Sequence, residues 1–120
     1  MRKLLASLMA FALAAAAADV TGTWTGKVDV GNGGGDPTIP MSITLKQNGS
    51  ELTGNAGDAS HQFPIDKGES NGNSVKFQVT AGAVLTFNLR QEGDVMTGTV
   101  KIEHKEAGTV HEGPASFRRK

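Results

Sequence analysis

The sequence predicts an all-β protein: an eight-stranded antiparallel up-and-down meander, closed into a small barrel, following a cleaved leader. Three observations predict it. Apolar and polar residues alternate with a period of two through most of residues 19–120. Short runs of that kind are separated by Gly- and Asn-rich turn signals. No window of 11 or more residues beyond the leader carries a helical stripe. Consecutive hairpins make a meander directly, and closure removes exposed sheet edges. A two-sheet sandwich is the other arrangement open to such strands, but it normally needs longer crossing connections.

Arg2 and Lys3 form a basic start, residues 4–13 an apolar run broken only by Ser7, and Ala16-Ala17-Ala18 a small-residue end. This is the pattern of a secretory signal peptide, residues 1–18, cut after Ala18. The apolar run is shorter than the roughly 20 residues that span a bilayer. The expected product is one domain, 19–120, secreted or periplasmic, with no membrane span, and monomeric. The chain has no cysteine, so there is no thiol to acylate and no disulfide. A domain of about 100 residues must then be held by its own core. Without Arg2 and Lys3, 10 basic residues face 12 acidic ones, a formal charge of −2. That gives no case for nucleic acid or anionic lipid as a partner, and neither is expected. The only basic cluster, Arg118-Arg119-Lys120, is too short to be a patch by itself.

The first strand carries Val20, Gly22, Trp24, Gly26, Val28 and Val30 in phase, and a Gly-rich loop over 31–37 follows. Ile39, Met41, Ile43 and Leu45 define the second strand. Asn48-Gly49 predicts a type I′ turn, whose two central residues need positive φ. The third strand covers 51–56 and breaks at Gly57-Asp58-Ala59-Ser60. The fourth runs over 61–67 with His61, Phe63 and Ile65 in phase, and Pro64 predicts irregular pairing. Asn71-Gly72-Asn73 turns into the fifth strand (Val75, Phe77, Val79). A break at Ala81-Gly82 leads to the sixth (Leu85, Phe87, Leu89). Glu92-Gly93-Asp94 leads to the seventh (Met96, Gly98, Val100, Ile102). Ala107-Gly108 leads to the eighth, ending at Ala115 and Phe117.

Residues 45–54, LKQNGSELTG, match residues 89–98, LRQEGDVMTG, without a gap and with five of ten positions identical. Such a short repeat predicts one hairpin unit used twice around a barrel rather than a solenoid. Glycines inside strands, among them Gly22, Gly26, Gly54, Gly98 and Gly113, predict strongly coiled strands.

Gly22-Thr23-Trp24 on the first strand, the meander, and Arg118 or Arg119 at the end of the last strand together resemble the calycins, the lipocalins and avidins. The resemblance implies that Trp24 closes the base of the barrel and that Arg118 or Arg119 lies across it, a cation–π contact worth ~0.5–2 kcal/mol. Thr21-Gly22-Thr23-Trp24 also looks like the avidin opening, but no tyrosine and no second tryptophan are present to wall a biotin pocket. The small periplasmic inhibitors of secreted metalloproteases are similar in strand number, Gly-x-Trp and basic end. Here only three residues precede Gly22 after the leader, so their inhibitory arm has no counterpart. The chain is also similar to uncharacterised secreted bacterial proteins rich in Thr-Gly-Thr-Trp and Leu-Thr-Gly hairpins.

In a meander alternate loops share an end. Loops 31–37, 57–60, 81–82 and 105–108 are expected at one rim, and the tight turns and both termini at the other. His61, His104 and His111 all fall at the first rim. With Ala107-Gly108 as a two-residue turn, His104 faces His111 with Cβ atoms about 5 Å apart. The three histidines are therefore the candidate ligand-binding residues and the candidate divalent-metal ligands, with Asp36, Asp58 or Glu106 as further donors. No resident cofactor is otherwise expected. Gly33-Gly34-Gly35 precedes no helix that would bind phosphate, Ser60 and His61 face opposite ways, and no nucleophile motif or P-loop is present. A non-enzyme is expected. Its partner is a small molecule, or a protein if the core is filled.

Overall fold

The computed structural model describes residues 19–31 and 38–120. The leader, the triglycine run 33–35 and Asp36 lie outside them. Eight strands follow in order: β1 Gly22–Asp29, β2 Thr38–Asn48, β3 Glu51–Gly57, β4 Gln62–Asn71, β5 Ser74–Thr80, β6 Val84–Glu92, β7 Val95–His104 and β8 Thr109–Arg119. Each pairs antiparallel with the next, and β8 returns to β1, giving a closed barrel in sequence order. Short connections make the meander, because they set each strand beside the one before it and the one after it in sequence.

The seam between β1 and β8 runs from Trp24 opposite Arg119 to Val28 opposite Ala115. Inward residues alternate along each strand, as with Met41, Ile43 and Leu45 on β2 and Phe87 and Leu89 on β6. The rings of Phe77 and Phe87 stack at 4.7 Å, and Phe117 tilts against Phe87 at 6.2 Å. These rings and Trp24 fill the barrel's lower and middle levels. The repeated decapeptides become the β2–β3 and β6–β7 hairpins. A Cβ on Gly54 would lie 1.9 Å from the Thr44 carbonyl oxygen, and one on Gly98 2.0 Å from that of Asn88. Glycine at both places lets neighbouring backbones cross closely, which is how a narrow barrel coils.

Three local readings are corrected. The β2–β3 turn is Gly49-Ser50, not Asn48-Gly49, because Asn48 still pairs with Glu51. Gly49 has φ +67°, whereas Asn48 and Ser50 are not in the positive region. This is the type II′ pattern, with glycine first, and not type I′. Strand β4 does not stop at Lys67. A bulge there, with Lys67 at φ +52°, shifts the register between Asp66 and Glu69 and carries the strand on to Asn71. The extra residue leaves Lys67 in solvent and returns Ser70 to the inner face. Third, the whole expected loop 105–108 joins β7 to β8, so Ala107-Gly108 is not a two-residue turn by itself.

Candidate functional site

The two ends of the barrel are built differently. At the end with the tight turns, Trp24 is fully buried, and its Nε1 donates to the Val20 carbonyl at 3.0 Å. Of Arg118 and Arg119, it is Arg119 that crosses the ring, its guanidinium carbon 4.5 Å from the ring centroid. Arg118 is exposed and faces outward opposite Thr25. The difference is one of phase, since Arg119 lies opposite Trp24 and so shares its inner face. Arg119 also donates to the carbonyls of Thr21 (2.7 Å) and Asp19 (3.2 Å) and to Asp94 Oδ1 (2.9 Å). Gly22 has φ +141°, and a Cβ there would sit 3.2 Å from Arg119 Nη1. Glycine thus serves both the backbone bend and the arginine.

The repeated hairpins grip the segment that enters β1. Gln47 Oε1 accepts the Val20 N–H at 2.9 Å, and its Nε2 donates to the Gly49 carbonyl. Gln91, the matching residue of the second hairpin, donates through Nε2 to the carbonyls of Gly93 and Asp19. Val20 is thereby drawn fully into the core. The carboxyl of Asp19 is held below its ordinary value by the Thr21 N–H, then by the Thr21 hydroxyl, with a smaller contribution from Arg119 and some opposition from burial.

The other end is open. A cavity of about 320 Å³ lies there, lined by apolar side chains that include Ile39, Met41, Phe63, Val79, Leu85 and Ile102. Asp58 and His104 stand at its edge. The prolines explain why this end stays open. Pro40 pairs with Lys27 of β1, but the β2–β3 ladder begins only at Ser42. Pro64 pairs with Asn55 of β3, but the β4–β5 ladder begins at Ile65. Pro114 pairs with Thr99 of β7, but the β8–β1 ladder begins at Ala115. Proline has no N–H to continue a ladder. Three of the four gaps between rim hairpins therefore start at a proline, and the hairpins part above it. Pro64 was legible as a site of irregular pairing. Pro40 and Pro114, equally placed, carry the same signal.

The three histidines are at this rim, but each in its own setting. His61 is not in β4. It sits in the loop before Gln62, exposed, and its N–H donates to Asp58 Oδ1 at 2.7 Å. Asp58 also accepts from Ser60, and these bonds, the Ser60 one foremost, lower its pKa. His104 lies opposite Thr109, not His111, and His111 lies opposite Ile102. The four-residue loop moves the register by two residues, so the two histidines are diagonal neighbours, about 7–8 Å apart along the sheet. His111 is turned to Asp29: Nε2 lies 3.0 Å from Oδ1, within hydrogen-bond distance. The same Oδ1 takes the Gly31 N–H. The imidazole packs so closely on Gly31 that a Cβ there would be 2.7 Å from Nδ1. Glu106 is exposed in the 105–108 loop. Among the described residues, no three His, Asp or Glu side chains gather as a metal site, and no helix is long and apolar enough to cross a membrane.

No family model, no curated protein and no solved structure matches this chain.

Proposed function

We propose that this chain is an exported, non-enzymatic, calycin-like binding barrel that receives one small apolar molecule in the cup at its open end. The observation that carries the reading is the cup itself. Its volume of about 320 Å³ lies at the lower end of the range of small-molecule sites. Its wall is apolar, and Ile39, one of only two large exposed apolar side chains among the described residues, stands on it. An apolar surface kept open to water costs stability, and a ligand that covers it recovers that cost. Polar groups at the edge, His104 and Asp58, suit a molecule whose far end stays in solvent. The Trp24–Arg119 closure supports the calycin likeness, and the leader pattern supports export.

The test uses a neutral apolar dye, N-phenyl-1-naphthylamine. The protein is expected to brighten the dye saturably, with one dye per chain. Ala83→Trp, which places an indole in the cup wall, is expected to weaken binding at least about tenfold, equivalent to about 1.4 kcal/mol. Phe117→Leu, below the cup, should leave dye affinity unchanged. A folded protein that shows no saturable dye signal would overturn the reading and favour a barrel that works by protein contact.

A further inference from the structure

We infer that the closed end holds a seat for the chain's own new N-terminus: the α-ammonium of Asp19, released by cleavage after Ala18, donates to the side-chain carbonyl of Gln91. The inference rests on the leader reading above but concerns the opposite end of the barrel from the cup.

Gln91 is 3% exposed. Its Nε2 is fixed by two acceptors, the Asp19 and Gly93 carbonyls, each at 3.2 Å. Exchanging the amide's nitrogen and oxygen would aim a carbonyl at two carbonyls, so the orientation is determined. Oε1 is then buried with no donor among the described residues. A buried acceptor left without a donor is uncommon and destabilising. Its counterpart in the repeat has no such defect. Gln47 uses Nε2 on Gly49 and Oε1 on the Val20 N–H.

The two glutamines thus divide the entering segment between them, one holding the N–H of residue 20 and the other the carbonyl of residue 19. The nitrogen of Asp19 is three bonds from the oxygen that Gln91 already holds. In the uncut chain it carries one hydrogen, fixed in the peptide plane. After cleavage it is an ammonium with three donors free to rotate about the Cα–N bond. Asp19 is exposed, so the charge keeps water on its remaining hydrogens while one serves Oε1. Processing would then complete the hydrogen bonding of the base as well as detach the leader.

Residues 19–120 contain every described ladder and the whole described core, so the test uses that chain, released from a fusion by a protease that leaves Asp19 first. It is compared with the same chain acetylated at Asp19 and with 16–120, which keeps Ala16-Ala17-Ala18. The free amine is expected to raise the melting midpoint by about 4–8 °C over both. In Gln91→Met the effect of acetylation should vanish. Glutamine labelled with ¹³C at Cδ gives a second readout in the unmutated chain. Acetylation should move the Gln91 resonance and leave Gln47 in place. Equal midpoints for free and acetylated chains, or an acetylation effect of the same size in Gln91→Met, would overturn the seat, as would an unmoved Gln91 resonance. N-terminal sequencing of the exported protein separately tests cleavage after Ala18, so failure of the leader reading and failure of the seat are distinguishable.

Discussion

The base and the mouth of this barrel are made from the same eight strands, yet they solve opposite problems. At the base the turns are two residues long, glycine comes first in each, and every strand is paired up to the turn. Trp24, Arg119, Gln47 and Gln91 link four separate parts of the chain through side-chain bonds to the backbone of 19–21. At the mouth the loops are longer, prolines stop three of the four ladders between hairpins, and large side chains such as Phe63 and Leu85 remain half-buried. The barrel thus places its densest side-chain hydrogen bonding at one end and its exposed apolar surface at the other. Sites for ligands are commonly drawn from the less stable part of a fold for this reason.

The contrast predicts unequal costs for truncation. Trp24→Ala removes a fully buried indole from the base and is expected to cost about 3–5 kcal/mol in denaturant unfolding followed by circular dichroism. Leu85→Ala, on the cup wall, should cost no more than about 1–2 kcal/mol, since part of its surface already meets water. Equal costs at the two sites would break the comparison.

A smaller effect separates the two arginines. Arg119→Met loses the contact with Trp24 and the bonds to Thr21, Asp19 and Asp94, and is expected to lower stability by about 1–3 kcal/mol. Arg118→Met should stay within about ±0.5 kcal/mol, as an exposed substitution with no such partners. A reversed order would place the closure on the other residue.

The smallest expected effect is in acid. Asp19 titrates below its ordinary value of 3.8 in the folded chain. A lowered folded pKa adds stability above the unfolded value, and that share is lost as pH falls below about 3.8 and through the folded value. Asp19→Asn should therefore flatten the acid limb of a stability–pH curve and leave its neutral plateau nearly level with the parent's. The residue is exposed, so the change is small. An unchanged acid limb would show that the Thr21 bonds to Asp19 carry no stability.

Much of this was legible in residue order. The alternation of Met41, Ile43 and Leu45, or of Phe87 and Leu89, marks strands with one buried face, and the decapeptide repeat marks two matching hairpins. Trp24 and the basic C-terminus mark a closed base through the calycin resemblance. The choice of Arg119 over Arg118 was not legible, because it depends on the register between the first and last strands, 95 residues apart in these two partners. The histidine arrangement differs from the sequence expectation for a related reason. Ala107-Gly108 looks like a two-residue turn, but Gly108, at φ +70°, ends a four-residue loop in which its N–H donates to the His104 carbonyl. A change of two residues in the loop moves His104 away from His111 without altering which face either occupies. The bulge at Lys67 was hidden because a lysine offers no sequence cue for positive φ.

The sequence by itself determined what is local: strand phase, turn positions to within a residue or two, and the small-residue pattern that lets strands coil. These follow from side-chain period and backbone sterics, which act over a few residues. Tertiary structure alone decided which partners meet. Closure set Arg119 over Trp24, paired His111 with Asp29, and aligned Pro40, Pro64 and Pro114 at one level so that the hairpins part there. Those outcomes depend on register accumulated around a closed ring, in which each loop length displaces every pairing beyond it, and no single segment contains that information.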